Sequence, residues 1–333
     1  MGEAGLELRE LRYFVQVAEL KSFSKASVHL RIAQPALSRQ VRKLEEELGV
    51  ELFVRAGRGL HLTHAGMLLR DHAQALLRQV TQAADDVRAH AGEVTGSITI
   101  GVPPSAGEVL IPTVVRRSLQ LHPGLRINIV SAFSGDLYEK LLNQELDLCL
   151  LHNPAPHRNL DIQELLVDHM YLIGPGPGFP AVPPVTKAMA GNIDGLPLIM
   201  PSRVHNSRVV LESSVQERGG GLNIKHQVDG LLLIKSMVRE GLGYTVLTYG
   251  SVYMEVEAGV MTAEPLTPEV TWTLCMAHNH EQRMRGPVQA LMEIIRDEIQ
   301  TLVDQHKWRG TPKYVPRPQA ETEPRRKVRV GKR

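Results

Sequence analysis

Residues 32–49 read IAQPALSRQVRKLEEELG. Pro35 stands in what the spacing predicts to be a first helical turn, where its missing N–H has no intrahelical partner. Leu37, Val41, Leu44 and Leu48 recur at steps of four, three and four, which makes one apolar stripe, and Gly49 supplies a stop. Off that stripe stand Gln34, Ser38 and Arg42, four apart on one face, with Arg39 beside them. A helix made only to pack needs no such set. Gln pairs bidentately with adenine and Arg with guanine, while Ser contacts phosphates or bases.

The flanking residues extend this reading. Upstream, Leu11, Phe14, Val15 and Ala18 share one helical face. In SFSKAS, Ser24 is the expected N-cap of a short second helix to Leu30, with Phe23 and Val28 placed for a hydrophobic staple. A tight turn through Arg31 and Ile32 leads into the third helix. Two helices joined in this way describe a helix-turn-helix, whose second helix presents its N-terminal residues to the major groove. Downstream, ELFVRAGRGLHLT predicts a strand, a glycine-containing turn and a strand. Arg58 at the tip and Arg55 at the shoulder make a basic wing suited to the backbone or minor groove.

From Leu11 to Gly66 the chain resembles the N-terminal domain of LysR-type transcriptional regulators. The resemblance rests on the Leu/Phe-bearing first helix, SF-x-x-A, AQPALSRQ, LE-x-x-LG, LF-x-R and LT-x-AG. It implies DNA contacts at Gln34, Pro35, Ser38 and Arg39 in the recognition helix and at Arg55 and Arg58 in the wing. Arg42, one turn further along, is expected to meet a phosphate. Ala33 stands where many members have Ser or Thr, so the third helix lacks a side-chain cap.

Thr63 is placed to cap a following helix with apolar positions Leu69, Ala73, Leu76, Val80, Ala83 and Val87, and Gly92 to end it. A 3.5-residue repeat this narrow suits a two-helix seam. The resemblance implies that this linker helix dimerises the chain. Paired reading heads then match two half-sites related by a two-fold axis.

Composition is consistent with this front end. The 333 residues include 43% hydrophobic and 22% charged, enough for two or three domains. The net charge of +2 conceals balances of +2 over residues 1–92, −8 over 93–306 and +8 over 307–333. Such a split suggests an anion-binding front, a middle that does not bind nucleic acid and a basic tail. Cys149 and Cys275 lie far apart in apolar runs, which points to buried thiols in a reducing cytoplasm. The first residues lack the apolar stretch of a secretory signal, and no run is long enough to span a bilayer.

Beyond residue 93 the period changes. Strands are expected at 97–102, 126–130, 146–151, 169–174, 197–200, 223–228, 243–248 and 270–278. Helices are expected at 107–121, 135–144, 206–218, 230–240 and 282–304. This alternation predicts an α/β architecture with parallel strands. Open α/β sheets bind ligands past the carboxyl ends of their strands. That rule selects the loops at 103–106, 152–154 and 201–208. Candidate effector contacts there are Ser105, ahead of an expected helix start, His152, Arg203, His205 and Arg208; Thr245 in GLGYTVL is a further candidate. Plainer roles compete with each: a helix cap for Ser105, surface loop residues for His205 and Arg208, and a strand residue for Thr245.

This region is similar to the family's effector-binding domain through IGVPPSAGEVLIP, RINIVSAFSGDLYEKLLNQELDLCLL and VREGLGYTVL. The resemblance implies two α/β subdomains of periplasmic-binding-protein-like type with a cleft between them. PPS and PSRVHNSR look most like the nitrogen assimilation control branch. Asn206-Ser207-Arg208 departs from the Gly-Leu-Arg often found there, so no ligand is carried over.

The expected organisation is an all-α winged helix-turn-helix over 6–63 and a linker helix over 64–92. An effector-binding domain follows over 93–306, with subdomain I at about 93–169 and 270–306 and subdomain II at about 170–269. Residues 307–333, with prolines at 312, 316, 318 and 324 and the run RRKVRVGKR, are expected to be a disordered basic tail. The alternative for the tail is a nonspecific DNA tether.

HNH at 278–280, near Cys275, lacks a complementary metal-ligand cluster, and no catalytic motif stands out. Neither a catalytic activity nor a metal or other cofactor is expected. The expected function is a transcriptional regulator that binds double-stranded DNA as a dimer or tetramer. A small-molecule effector would control it, with RNA polymerase a further possible partner. A ligand-free architectural DNA protein is the alternative, and an enzyme or solute-binding protein fused to a helix-turn-helix is the rival of another class.

Overall fold

The computed structural model of the chain describes residues 6–56, 59–89, 94–178, 182–280, 282 and 285–313. These fall into two compact units. Unit 1 comprises residues up to Gln163, Pro201–Val209 and Cys275–Met292; unit 2 comprises Glu164–Met200, Val210–Leu274 and the chain from Glu293.

Unit 1 begins with the helical head. Helices α1 (Leu8–Leu20), α2 (Phe23–Leu30) and α3 (Gln34–Leu48) are followed by the hairpin β1 (Phe53–Ala56) and β2 (Gly59–Leu62). One core cluster joins Leu11, Phe14, Val15, Leu44, Leu52 and Ala73, and a second joins Val17, Ala26, Leu37 and Val41. The amphipathic patterns of α1 and α3 are thereby buried against each other and against the base of the hairpin.

The cap of α2 differs from expectation. Ser22 is the N-cap, and its Oγ accepts from the Lys25 backbone N–H at 3.3 Å. Phe23 is therefore the first helical residue, and Val28 is 79% exposed, so no staple forms between them. Either serine of SFS suits the cap pattern, and the extended backbone at Ser22 decides between them.

Helix α4 (His64–Ala89) starts where Thr63 Oγ1 accepts from Gly66 N–H at 3.0 Å and donates to Glu51 C=O at 2.7 Å. A Cβ on Gly66 would lie 2.1 Å from the Leu52 carbonyl oxygen, so this close approach requires glycine. The 3.5-residue stripe divides. Ala73 and Leu69 join the head core, together with Leu77. Leu76 and Val80 remain 46% and 38% exposed, and Ala83 is exposed. The side chain of Val87 and the expected stop at Gly92 lie outside the described residues.

The rest of unit 1 is α/β. Strand β3 (Gly96–Val102), α5 (Pro104–Leu121), β4 (Leu125–Ser131), α6 (Ser134–Leu142) and β5 (Leu148–His152) follow in order. β3 pairs in parallel with β4 on one side, Ile98 opposite Ile127, and with β5 on the other, Ile100 opposite Leu148. Leu137, Leu141, Leu146, Cys149, Leu151, Leu160 and Ala277 form a core beside them. A buried ion pair braces the sheet. Asp147 Oδ1 accepts from Arg285 at 2.7 Å, and Asp147 Oδ2 accepts from Thr99 N–H at 2.7 Å.

The chain passes into unit 2 along β6 (Leu160–Pro175). Unit 2 then holds α7 (Lys187–Gly191), β7 (Leu198–Met200), most of α8 (Asn206–Gln216), β8 (Ile224–Gln227) and α9 (Leu231–Arg239). It continues with β9 (Thr245–Thr248), a 3-10 turn at Tyr249–Ser251, α10 (Tyr253–Glu257) and β10 (Met261–Pro265). β11 (Thr271–Asn279) returns to unit 1, and α11 (Gly286–Asp304) leads back to unit 2 and β12 (Gly310–Pro312). β7 and β8 are parallel, but β6 runs antiparallel to β9, β10 and β12. The all-parallel expectation thus holds for β3–β5 and β7–β8, and fails around β6.

The expected tail does not begin at 307. Trp308 is 1% exposed, and its indole N–H donates to Asp168 Oδ2 at 2.8 Å. Arg309 stacks 3.8 Å from the Tyr249 ring centre, and β12 pairs with Leu166–Asp168 of β6. A buried indole and a strand ladder hold residues 308–312 in unit 2. Residues 314–333 lie outside the described residues.

Candidate functional site

Two sets of residues carry the candidate chemistry. The first is presented by α3. Ala33, in extended conformation, is its N-cap and makes no side-chain cap bond, and Pro35 occupies the first turn. Leu37, Val41 and Leu44 point into the head, which leaves Gln34, Pro35, Arg39 and Arg42 exposed and Ser38 half-buried. A single roll of the helix therefore carries the whole predicted set outward. Gly49, at φ 69°, terminates α3 in the left-handed region. In the hairpin Arg55 is exposed and lies opposite Leu60. Arg58 lies outside the described residues.

The second set gathers at the carboxyl end of the parallel strands of unit 1. α5 starts at Pro104 with Pro103 as its N-cap, so Ser105 lies within the first turn, half-buried, and is not the cap. His152 ends β5. Its backbone N–H donates to Ser134 Oγ at 3.3 Å, and its carbonyl accepts from Asn206 Nδ2 at 3.5 Å. Complete burial pushes the His152 imidazole down to about 3, so it is neutral and adds no positive charge. The His205 ring packs on Phe133 at 3.7 Å between centres.

Two further expectations about this set change. Arg208 is not a surface loop residue: it lies in α8, 7% exposed, and its guanidinium donates to the Pro201 carbonyl at 2.9 Å. It shapes the 201–208 segment from within, while Arg203 is exposed. Thr245 belongs to unit 2 and is fully buried, its hydroxyl 3.9 Å from Met200 Sδ. It offers a ligand no surface and is a strand residue.

The structure joins His152 to Ser134 and Asn206 and packs His205 on Phe133; Phe133, Ser134 and Asn206 were not among the candidates. The strand-end rule that selected 103–106 and 152–154 applies equally to the loop after β4, where Phe133 and Ser134 stand. Both cysteines are buried and neither forms a disulfide, and burial pushes Cys149 well above the usual thiol range. Among the described residues no group of three or more His, Cys, Asp or Glu could hold a metal, and no helix is long and apolar enough to cross a membrane.

Comparison with known proteins places a family model over each of the two regions. Residues 8–67 match the bacterial regulatory helix-turn-helix protein of the lysR family, and residues 91–300 match the LysR substrate binding domain. The chain is 32% identical over 308 residues to the HTH-type transcriptional regulator BbuR of Bordetella bronchiseptica, covering 92% of this chain and 94% of that protein. It is 26% identical over 307 residues to the nitrogen assimilation regulatory protein nac of Escherichia coli, covering 91% and 99%. Nac lies below BbuR in identity, so the branch likeness of the effector region assigns no ligand. The structure of full-length CbnR complexed with its target DNA shares the fold, with a TM-score of 0.66 at 19% identity over 88% of this chain and 100% of that one. The chain belongs to the LysR family of helix-turn-helix transcriptional regulators.

Proposed function

We propose that this regulator reads an interrupted inverted repeat through α3 and the wing of paired copies, under the control of a small anionic effector held at the strand-end cluster of unit 1. The observation that supports DNA reading most directly is the exposed face Gln34, Ser38, Arg39 and Arg42 beside a buried Leu37–Val41–Leu44 stripe. Gln34, Pro35, Ser38 and Arg39 approach base edges, while Arg42, Arg55 and Arg58 meet phosphates. Pairing uses the part of the α4 stripe that the head leaves uncovered, Leu76, Val80 and Ala83, and two such dimers assemble into a tetramer on DNA.

For the effector, the supporting arrangement is Ser105 in the first turn of α5, His152 bonded through its backbone to Ser134 and Asn206, and His205 packed on Phe133. Free N–H groups of a helix start favour an anion, and exposed Arg203 adds positive charge. The effector changes the output only by preferring one arrangement of the paired copies, which alters DNA bending or contact with RNA polymerase. A thermal-shift screen of small carboxylates and amino-acid-pathway intermediates, repeated on Ser105→Ala and His205→Ala, tests this. A hit that stabilises the native chain and loses its effect in both variants is expected. A hit unaffected by either substitution removes these residues from the site. The match to a substrate binding domain over residues 91–300 leaves the ligand-free architectural alternative without support.

A further inference from the structure

The apolar stripe keeps α3 on the head, but hydrophobic contact is non-directional. It sets the roll of the helix only loosely, and with it the aim of Gln34 and Ser38. Directional ties narrow that freedom. Glu10 of α1 is 1% exposed. Its Oε2 accepts from the Glu7 backbone N–H at 3.2 Å, and its Oε1 accepts from Lys43 Nζ at 2.7 Å. Glu47 Oε1 lies 3.3 Å from the same ammonium. On the opposite flank Glu45 Oε1 accepts from Leu52 N–H at 2.8 Å and Phe53 N–H at 3.3 Å, which ties α3 to the start of the wing. Helix α3 is thus held from α1 through Lys43 and from β1 through Glu45.

The electrostatics agree with the geometry. Burial opposes the charge on Glu10, but the hydrogen bonds from Lys43 and Glu7 keep its carboxyl below the usual range. Glu10 and then Glu47 hold the Lys43 ammonium up to about 12. Lys43 follows Arg42 in sequence, and by charge alone it would be a candidate phosphate contact. Here its ammonium is engaged by two carboxylates, Glu10 of α1 and Glu47 one turn along α3.

We propose that Glu10 and Lys43 are positioning residues for DNA reading: the pair fixes the roll of α3, so that Lys43 supports sequence discrimination without contacting a phosphate. This rests on the proposed role of α3 as the reading helix. It also separates Lys43 from Arg42, its neighbour of like charge.

The test uses the full-length chain and two duplexes, one selected by the wild type from a random pool and one unrelated duplex of equal length. Affinities are measured over a range of salt for the wild type, Lys43→Gln, Lys43→Arg, Glu10→Gln and Gln34→Ala. Lys43→Gln is expected to lower the ratio of selected to unrelated affinity on the order of tenfold, with the salt slope on the unrelated duplex unchanged. Lys43→Arg restores most of the ratio, because it restores a cation to Glu10. Glu10→Gln, which keeps an acceptor for the Glu7 N–H, reproduces the loss in a milder form should Lys43→Gln fail to fold. A slope shallower by about 0.9 in Lys43→Gln makes Lys43 an ordinary phosphate contact and overturns the proposal. An unchanged ratio in both Lys43→Gln and Glu10→Gln overturns it as well. Gln34→Ala separates the two failures. If it lowers the ratio and the Glu10–Lys43 variants do not, positioning fails alone; if it does not, reading by α3 fails and the proposal falls with it.

Discussion

The reading head and the strand-end cluster of unit 1 differ in how their residues are assembled. Gln34, Ser38, Arg39 and Arg42 come from nine consecutive positions of one helix, turned outward by one buried stripe and held by the Lys43 and Glu45 ties. Ser105, Ser134, His152 and His205 come from four separate segments, and the contacts of His152 with Ser134 and of His205 with Phe133 exist only once the sheet has formed. Function in the head therefore depends on one helix and its ties, whereas function in the cluster depends on the α/β part of unit 1. Substitutions that strike one region and spare the other show how far this contrast holds.

The largest effect is expected at Asp147. Asp147→Ala leaves Arg285 buried without this carboxylate and removes the acceptor of Thr99 N–H, at a cost of about 3–5 kcal/mol. Denaturant unfolding followed by effector-domain probes should show the loss, while binding to nonspecific DNA through the head persists. Equal loss of both would mean that the head depends on the sheet, and the contrast would collapse.

Next comes the division within α4. Leu76 and Val80 are exposed where Leu69 and Ala73 are packed in the head. Leu76→Glu with Val80→Glu removes two side chains worth about 1.5–3 kcal/mol each when buried. Sedimentation should show monomers with a head of unchanged helicity. Dimers that survive the double substitution would place pairing elsewhere.

A smaller effect is expected at Asp168 in unit 2. Burial pushes its carboxyl from the usual 3.8 up to about 7, against the pull of the Trp308 indole and the His169 N–H. Between those values the folded chain holds a proton that the unfolded chain has released, so stability falls as pH rises through that window. Asp168→Asn should flatten this dependence in thermal unfolding measured from pH 4 to 8.

How much of this was legible in the sequence follows the same division. The head could be read almost residue by residue, because its helices are amphipathic, its turns carry Gly49 and Pro35, and its partners are close in sequence. The slip to Ser24 arose where two serines flank Phe23 and only backbone geometry chooses. In β6, where the chain passes between the units, the stretch LDIQELLVD shows no clean alternation, since Asp168 is buried among its apolar neighbours. β12 is three residues ending in Pro312, and proline gives no strand signal. Its place is fixed by Trp308 reaching Asp168, 140 residues away, a contact no local pattern announces. Glu10 and Lys43 were invisible for the same reason. Each looks like a solvated charge until α1 and α3 are brought together.

The central claim is that α3 reads sequence from its first turns and meets phosphate further along. The direct measurement compares Gln34→Ala and Arg42→Ala against a panel of duplexes that vary one base pair at a time. Gln34→Ala should lose about 1–3 kcal/mol of discrimination at one position and little elsewhere. Arg42→Ala should weaken every duplex alike and make the salt slope shallower by about 0.9. If both variants weaken all duplexes equally, Gln34 does not read a base, and the account of α3 is wrong.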